Sequence, residues 1–194
     1  MPYPRFPVIS AEEAASNIPS GATVAFSGFS SAGAAKAVPR AIAMNTALEV
    51  DLYGNTNSTH VCGSDLMNGI GGSMDFSRNG YISFIMCPSI SKGGKISNVV
   101  PMCSHVDNTE HSVSIIVTDQ GLADLRGFGP AQRAKNIIEK CAHPAYRPYL
   151  HRYLDKARMG HLRHNLRQCF ELHNNFLETG AMLPELDLSE IERI

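Results

Sequence analysis

The stretch that most restricts the fold is Val113-Ser114-Ile115-Ile116-Val117, apolar at four of five positions and built from β-branched residues. A strand without a wet face belongs in the middle of a sheet. Tyr81-Ile82-Ser83-Phe84-Ile85-Met86 and Ile96-Ser97-Asn98-Val99-Val100 predict two more strands, and Gly93-Gly94 between them suits a tight turn. Thr46 to Tyr53 alternates, with Leu48, Val50 and Leu52 on one side and Glu49 and Asp51 on the other. That pattern predicts a strand whose carboxylate face meets water.

Beyond Pro130, well placed in a first helical turn, the period changes. Ala134, Ile137, Ile138 and Cys141 fall at i, i+3, i+4 and i+7, one buried stripe of a helix. His143-Pro144 breaks it. A second helix is predicted over Tyr146–Arg158. After Gly160 a third carries Leu162, Leu166, Cys169, Phe170, His173, Phe176 and Leu177 as one continuous stripe, until Gly180 ends it. Near the start, Ser10-Ala11-Glu12-Glu13 is a capping box for a short helix to about Ile18. Thr23–Ser27 reads as a buried strand, Gly28–Gly33 as a loop, and Ala34 to Met44 as a helix. The last fourteen residues are acidic and weakly patterned. The expected class is α/β, a mixed open sheet with flanking helices.

Between Gly54 and Gly72 about nineteen residues show no usable period. A connection that long points to a functional loop. It ends in Asn68-Gly69-Ile70-Gly71-Gly72-Ser73, with three glycines in four positions. Bare backbone permits positive φ and close approach of a ligand, and successive N–H groups can cradle an anion or an oxyanion. Ser73 offers an N-cap for a short helix over Asp75–Asn79. Twenty residues after Gly72 comes Lys92-Gly93-Gly94-Lys95, a glycine turn with two cations. Together they read as a site for a phosphorylated or acyl-bearing ligand, or as plain turns. Lys92 is then either a ligand contact or an exposed turn lysine, and Asn68 either a hydrogen-bond donor to ligand or a cap on its own loop. Cys62 has no base beside it in sequence and reads as structural. His105 and His111 flank Asp107 and Glu110, but their spacing matches no standard ligand set, so no metal is expected.

The chain has 194 residues, 43% of them hydrophobic, enough for one domain or two small ones. A formal net charge of −1 supplies no field for nucleic acid or an anionic membrane. No run of about eighteen apolar residues predicts a membrane span. The first residues lack a signal-peptide core. Five cysteines, odd in number and without C-x-x-C spacing, fit reduced thiols and a cytoplasmic location.

Several stretches taken together resemble the acetyl-CoA hydrolase/transferase family, the class I CoA-transferases that include succinyl-CoA:acetate CoA-transferase. They are Asn45–Asn55, Asn57–Val61, Met67–Ser73 with Asp75-Phe76, Lys92–Ser97, Val100–Met102, His105–Asp107, Glu110-His111, Thr118–Gly127 and Cys141–Pro144. This block, about Asn45 to Ala157, is similar to the family's C-terminal half. Thr23–Phe29, Gly33 and Lys36–Pro39 resemble its extreme N-terminus. The resemblance implies residues 1–43 as a remnant of the first CoA-transferase domain, and 44–194 as the C-terminal domain with a helical tail. The family's middle section has no counterpart here, as in an internal deletion or an incomplete gene model.

That gap bears on chemistry. The family resembled attacks an acyl-CoA thioester with a glutamate carboxylate, forming an anhydride and then a glutamyl-CoA thioester. Its tyrosine–serine/threonine–glutamate–valine segment and the preceding glycine-rich CoA loop are both missing, so no catalytic residue is assigned. The resemblance places Asn68, Gly71, Gly72 and Lys92 beside CoA, with the Gly72 N–H facing the thioester carbonyl. It implies acyl-CoA and a small carboxylate as partners, CoA as substrate, a homo-oligomer, and CoA transfer or acetyl-CoA hydrolysis. A CoA-binding module without turnover and a non-functional deletion remnant are the alternatives.

Overall fold

The computed structural model describes Ser16 and residues 42–186. Ser16 is helical, within the short helix expected from Ser10; the rest of that helix, the other elements expected through Gly33, most of the helix expected from Ala34, and the last eight positions of the acidic tail lie outside these residues. The end of that Ala34 helix is described and is not helical, because Ile42–Thr46 forms a strand, β1. β1 runs across the 43/44 boundary.

The main sheet has four strands in the order β1-β6-β10-β11, where β6 is Ile82–Met86, β10 is Ile115–Thr118 and β11 is Gly121–Asp124. β1, β6 and β10 run parallel, and β11 returns antiparallel through a tight turn at Asp119-Gln120. The apolar run at Val113–Val117 thus supplies an interior strand, paired on both edges. Three smaller sheets surround it. One joins β2 (Glu49–Asp51), β3 (Thr56–Asn57) and β9 (Val99–Val100) in the order β3-β2-β9. The others are hairpins, β4 (His60–Val61) with β5 (Asp65–Leu66), and β7 (Ile90–Ser91) with β8 (Ile96–Ser97).

Four helices complete the described residues: α1 (Ser73–Asn79), α2 (Pro130–Cys141), α3 (Arg147–Lys156) and α4 (Glu171–Thr179). α1 packs on β1 and β6, and α2 on β10 and β11. All four stripe residues of α2 are buried. The core gathers Tyr53, Ile85, Ile116, Leu125, Ile137, Ile138, Tyr146, Leu150 and Leu172. Fully burying a side chain of this size contributes about 1.5–3 kcal/mol. No helix among the described residues is long and apolar enough to cross a membrane.

Three further expectations are corrected. The carboxylate face of Thr46–Tyr53 is not wet: Glu49 is 7% exposed and Asp51 1%. Asp51 Oδ1 accepts the N–H groups of Tyr53, Gly54 and Asn55 at 2.9–3.1 Å, holding the turn out of β2. Burial is the larger influence on that carboxyl and pushes it up to about 6, against these bonds and the one from the Asn55 amide. The segment is also split, since Ala47-Leu48 separates β1 from β2, which joins another sheet.

The continuous helix expected from Leu162 to Leu177 is the second correction. Only α4 is helical, and Leu166 and Leu177 are 78% and 65% exposed. Two buried phenols explain the break, because a buried hydroxyl requires partners. Tyr53 Oη donates to the Arg163 carbonyl and accepts from the Arg163 N–H at 2.8 Å. Tyr153 Oη accepts from the Asn165 N–H at 3.2 Å and meets His164 Nδ1 at 3.0 Å. Backbone groups that a helix would use are spent on these tyrosines.

Third, Ser73 does not cap α1. Gly72 is the N-cap and makes no side-chain bond, while Ser73 Oγ is buried and accepts from Asn108 Nδ2 at 3.0 Å.

Candidate functional site

The glycine loop hangs from the segment Ser58-Thr59. The N–H groups of Met67 and Asn68 donate to the Thr59 carbonyl at 2.8 and 3.3 Å, and Asn68 Nδ2 donates to the Ser58 carbonyl at 3.1 Å. The Asn68 amide therefore ties its own loop down. The segment is held in turn by Asp107. That carboxylate accepts from Ser58 N at 2.7 Å, Ser58 Oγ at 3.1 Å and Thr59 Oγ1 at 2.9 Å, with His105 Nε2 at 3.3 Å. Burial works to raise the Asp107 carboxyl, but the bonds from Ser58 and Thr59 and the neighbouring His105 outweigh it and hold it below its ordinary value.

Within the loop, Gly71 has φ +54° and Gly72 has φ −91°, ψ 11°. A left-handed φ at Gly71 followed by bridge-region Gly72 is the kind of alternation in which anion-binding nests form. Among the described residues none accepts from the N–H of Gly69, Ile70, Gly71 or Gly72. A Cβ on Gly71 would meet nothing within 4 Å, whereas one on Gly72 would stand 2.9 Å from the Phe76 ring. Leu66, Met67, Ile70 and Phe76 are exposed around this loop. The result is an open cradle of unspent donors with an apolar rim.

Lys92 lies on the β7–β8 hairpin with φ +49°, and Gly93 and Gly94 follow at φ +63° and +87°. Its Nζ sits 4.9 Å from the centroid of the Phe176 ring on α4 and remains exposed. The hairpin has distant supports that its sequence does not announce. Tyr146 Oη donates to the Gly94 carbonyl at 2.7 Å, and the Met182 N–H to the Lys95 carbonyl at 2.9 Å. Among the described residues no hydrogen bond joins Lys92 to the loop at 68–72. Burial first, then Glu49 and Asp65, push the Cys62 thiol up, with Lys92 opposing, so Cys62 is no ready thiolate.

The polar groups behind the site were missed in the sequence. Glu49 Oε1 accepts from Asn57 Nδ2 at 2.9 Å and from the N–H and Oγ of Ser104, each at 2.7 Å. Its Oε2 lies 2.7 Å from His173 Nε2, and both side chains are buried. Burial raises the Glu49 carboxyl, and His173, Asn57 and Ser104 more than reverse it, leaving it below its ordinary value. Asn57 Oδ1 then accepts the N–H groups of Thr59 and His60 at 3.1 and 2.9 Å. One chain of bonds thus runs from α4 through β2 and Asn57 to the segment carrying the glycine loop. Among the described residues no group of three or more His, Cys, Asp or Glu is placed to hold a metal ion.

Residues 21–154 match the model of the acetyl-CoA hydrolase/transferase C-terminal domain. The chain is 64% identical over 142 residues to the propanoyl-CoA:succinate CoA transferase of Escherichia coli strain K12, covering 73% of this chain and 29% of that protein. It is 54% identical over 144 residues to the succinyl-CoA:acetate CoA-transferase of Clostridium kluyveri, covering 73% and 27%. With the acetyl-CoA hydrolase of Saccharomyces cerevisiae it shares 50% identity over 153 residues, covering 73% and 29%. The chain thus spans less than a third of the length of these relatives. Among solved structures, a RipA variant aligns with TM-score 0.56 and 32% identity, over 59% of this chain and 27% of that one. RipA from Yersinia pestis aligns with TM-score 0.51, 31% identity and coverage of 59% and 26%. A family model matching well over half of the sequence, on an α/β fold shared with these proteins, makes the chain a member of the acetyl-CoA hydrolase/transferase family.

Proposed function

We propose that this chain is the CoA-facing portion of an acyl-CoA:carboxylate CoA-transferase of the acetate/succinate type, or of an acetyl-CoA hydrolase, and that alone it binds CoA without turnover. The observation that carries this reading is the cradle of unspent N–H groups at Gly69–Gly72, which lies where the family resemblance puts CoA. In this reading Gly71 and Gly72 present their N–H groups to the thioester carbonyl, whose oxygen gains negative charge on attack. Asn68, its Nδ2 committed to Ser58, contributes through its exposed carbonyl end and by fixing the loop. Lys92 attracts the anionic CoA moiety.

The family's nucleophilic glutamate segment has no counterpart in the sequence, and among the described residues the apolar rim of the loop is exposed. Division at residues 43/44 belongs to the same proposal, as does a homo-oligomer that covers the exposed rim. In a transferase a small carboxylate would take up CoA; in a hydrolase water would cleave the thioester and CoA would leave as the free thiol. Formation of acetyl-CoA from succinyl-CoA and acetate, measured on the purified chain, tests the reading. The expected rate is indistinguishable from buffer, and turnover of about 1 s⁻¹ or faster would overturn it.

A further inference from the structure

The loop that replaces the expected third helix has an unusual charge. Between Asp155 and Glu171 the sequence holds Lys156, Arg158, Arg163 and Arg167 with His161 and His164, and no acid. This stretch lies outside the residues that match the family model, 21–154. Its backbone is fixed. Besides the two tyrosine anchors, the Arg158 N–H donates to the His164 carbonyl at 3.2 Å, and the Asn165 carbonyl accepts from Gln168 and Cys169 at 2.9 Å.

A cavity of about 350 Å³ opens on this loop, lined by Lys156, Arg158, His164, Asn165, Leu166 and Arg167. That volume is within the range of small-ligand sites, about 300–1,000 Å³. Among the described residues no carboxylate pairs with Lys156, Arg158 or Arg167; the ion pairs there involve Arg126 and histidines. A neighbouring cavity provides the contrast. There Glu171 and Glu185 stand among the lining residues with Arg152 and Lys156, so its charges are balanced. Burial holds the His164 imidazole below its ordinary value.

We infer that the 156–167 loop binds a small phosphate-bearing ligand, with Lys156, Arg158 and Arg167 taking the phosphate oxygens. Guanidinium groups match phosphate geometry with two parallel N–H donors, and a charge-assisted bond of this kind is about twice as strong as a neutral one. The face of the His164 ring and exposed Leu166 offer a wall for the organic part of such a ligand. A macromolecular polyanion is the poorer fit, because the positive surface is one concavity on a chain of net charge −1. The site does not rest on the CoA reading, since none of its lining residues belongs to the 68–72 loop or the Lys92 hairpin.

The test is an NMR titration of the isotope-labelled full chain with inorganic pyrophosphate and, separately, with ADP. Both probes should shift the amides of residues 156–167. Tighter binding of ADP with added shifts at His164 and Leu166 identifies a nucleotide, and equal binding identifies free phosphate; either supports the site. Arg158→Gln and Arg167→Gln leave the backbone bonds of the loop in place, and each should weaken pyrophosphate about tenfold. Shifts confined to other parts of the chain would overturn the inference. So would two folded arginine variants that bind both probes as the parent does. Neither failure touches the CoA reading, which is read at residues 68–72.

Discussion

The glycine loop at 68–72 and the Lys92 hairpin carry the two halves of the candidate CoA site by different means. The loop is suspended from polar groups: Asp107 holds Ser58-Thr59, and Ser58-Thr59 holds Met67-Asn68. The hairpin rests on the helical side, through Tyr146, Met182 and the Phe176 ring. A buried carboxylate network fixes a loop only while every partner is present, whereas a hairpin under a phenol and an aromatic ring loses support in small steps. The Glu49–His173 pair joins the two regions, since it links α4 to Asn57 behind the loop.

The largest effect should come from breaking that joint. Glu49→Ala leaves His173, Asn57 and Ser104 without their shared acceptor, and breaking a buried pair costs about 3–5 kcal/mol. Urea unfolding should show a loss of this order. A loss below about 1 kcal/mol would mean that the pair is not a structural joint. Asp107→Asn should cost less, about 1–3 kcal/mol, because the amide keeps one acceptor. Its distinguishing readout is hydrogen exchange. Met67 and Asn68 amides should exchange faster while Gly94 and Lys95 keep parental rates. Equal acceleration in both regions would erase the contrast. Tyr146→Phe is the converse probe, costing about 1 kcal/mol and perturbing amides at 92–95 but not those at 67–68.

The two buried carboxylates of β2 give opposite pH signatures. The Glu49 carboxyl is lowered by folding from its ordinary 4.5, so its contribution is fully present above that pH and lost as pH falls through the folded value. The Asp51 carboxyl is raised from 3.8 to about 6, so the folded state binds the extra proton and its contribution is lost as pH rises through about 6. Asp51→Asn should flatten the stability profile between about pH 4 and 6, while Glu49→Gln should flatten it below about pH 4.5. Stability profiles measured from pH 3 to 7 check both signs; identical slopes in parent and variants would contradict them.

Much of the fold was legible because periodicity reports burial. Ala134, Ile137, Ile138 and Cys141 form the buried stripe of α2, and the Val113–Val117 run became an interior strand. The same rule misled at Glu49 and Asp51, where alternation was taken to mean water on the polar side. The partner that makes burial of Glu49 tolerable is His173, 124 residues away, and no local pattern contains it. The third helix failed for a related reason, since Tyr53 captures Arg163 across 110 residues. For the candidate site, motif and family resemblance point to the glycines, Asn68 and Lys92. Asp107, Asn57 and Tyr146, which hold them, act through tertiary bonds and left no spacing signal.

The central claim is that the cradle at 68–72 and Lys92 meet CoA without turnover, and titration of free CoA into the labelled chain tests it most directly. The account predicts shifts at Asn68–Gly72 and Lys92, with a dissociation constant on the order of millimolar because half a site buries little ligand. Gly71→Ala adds a methyl that meets no atom of the described residues within 4 Å but sits on a left-handed residue, so it should weaken CoA through the cradle's own geometry. Lys92→Ala should remove a salt-sensitive attraction. Gly72→Val is the harsher companion, since its side chain also displaces Phe76. CoA shifts that avoid residues 68–72 and 92, or undiminished binding in folded Gly71→Ala and Lys92→Ala chains, would contradict the account.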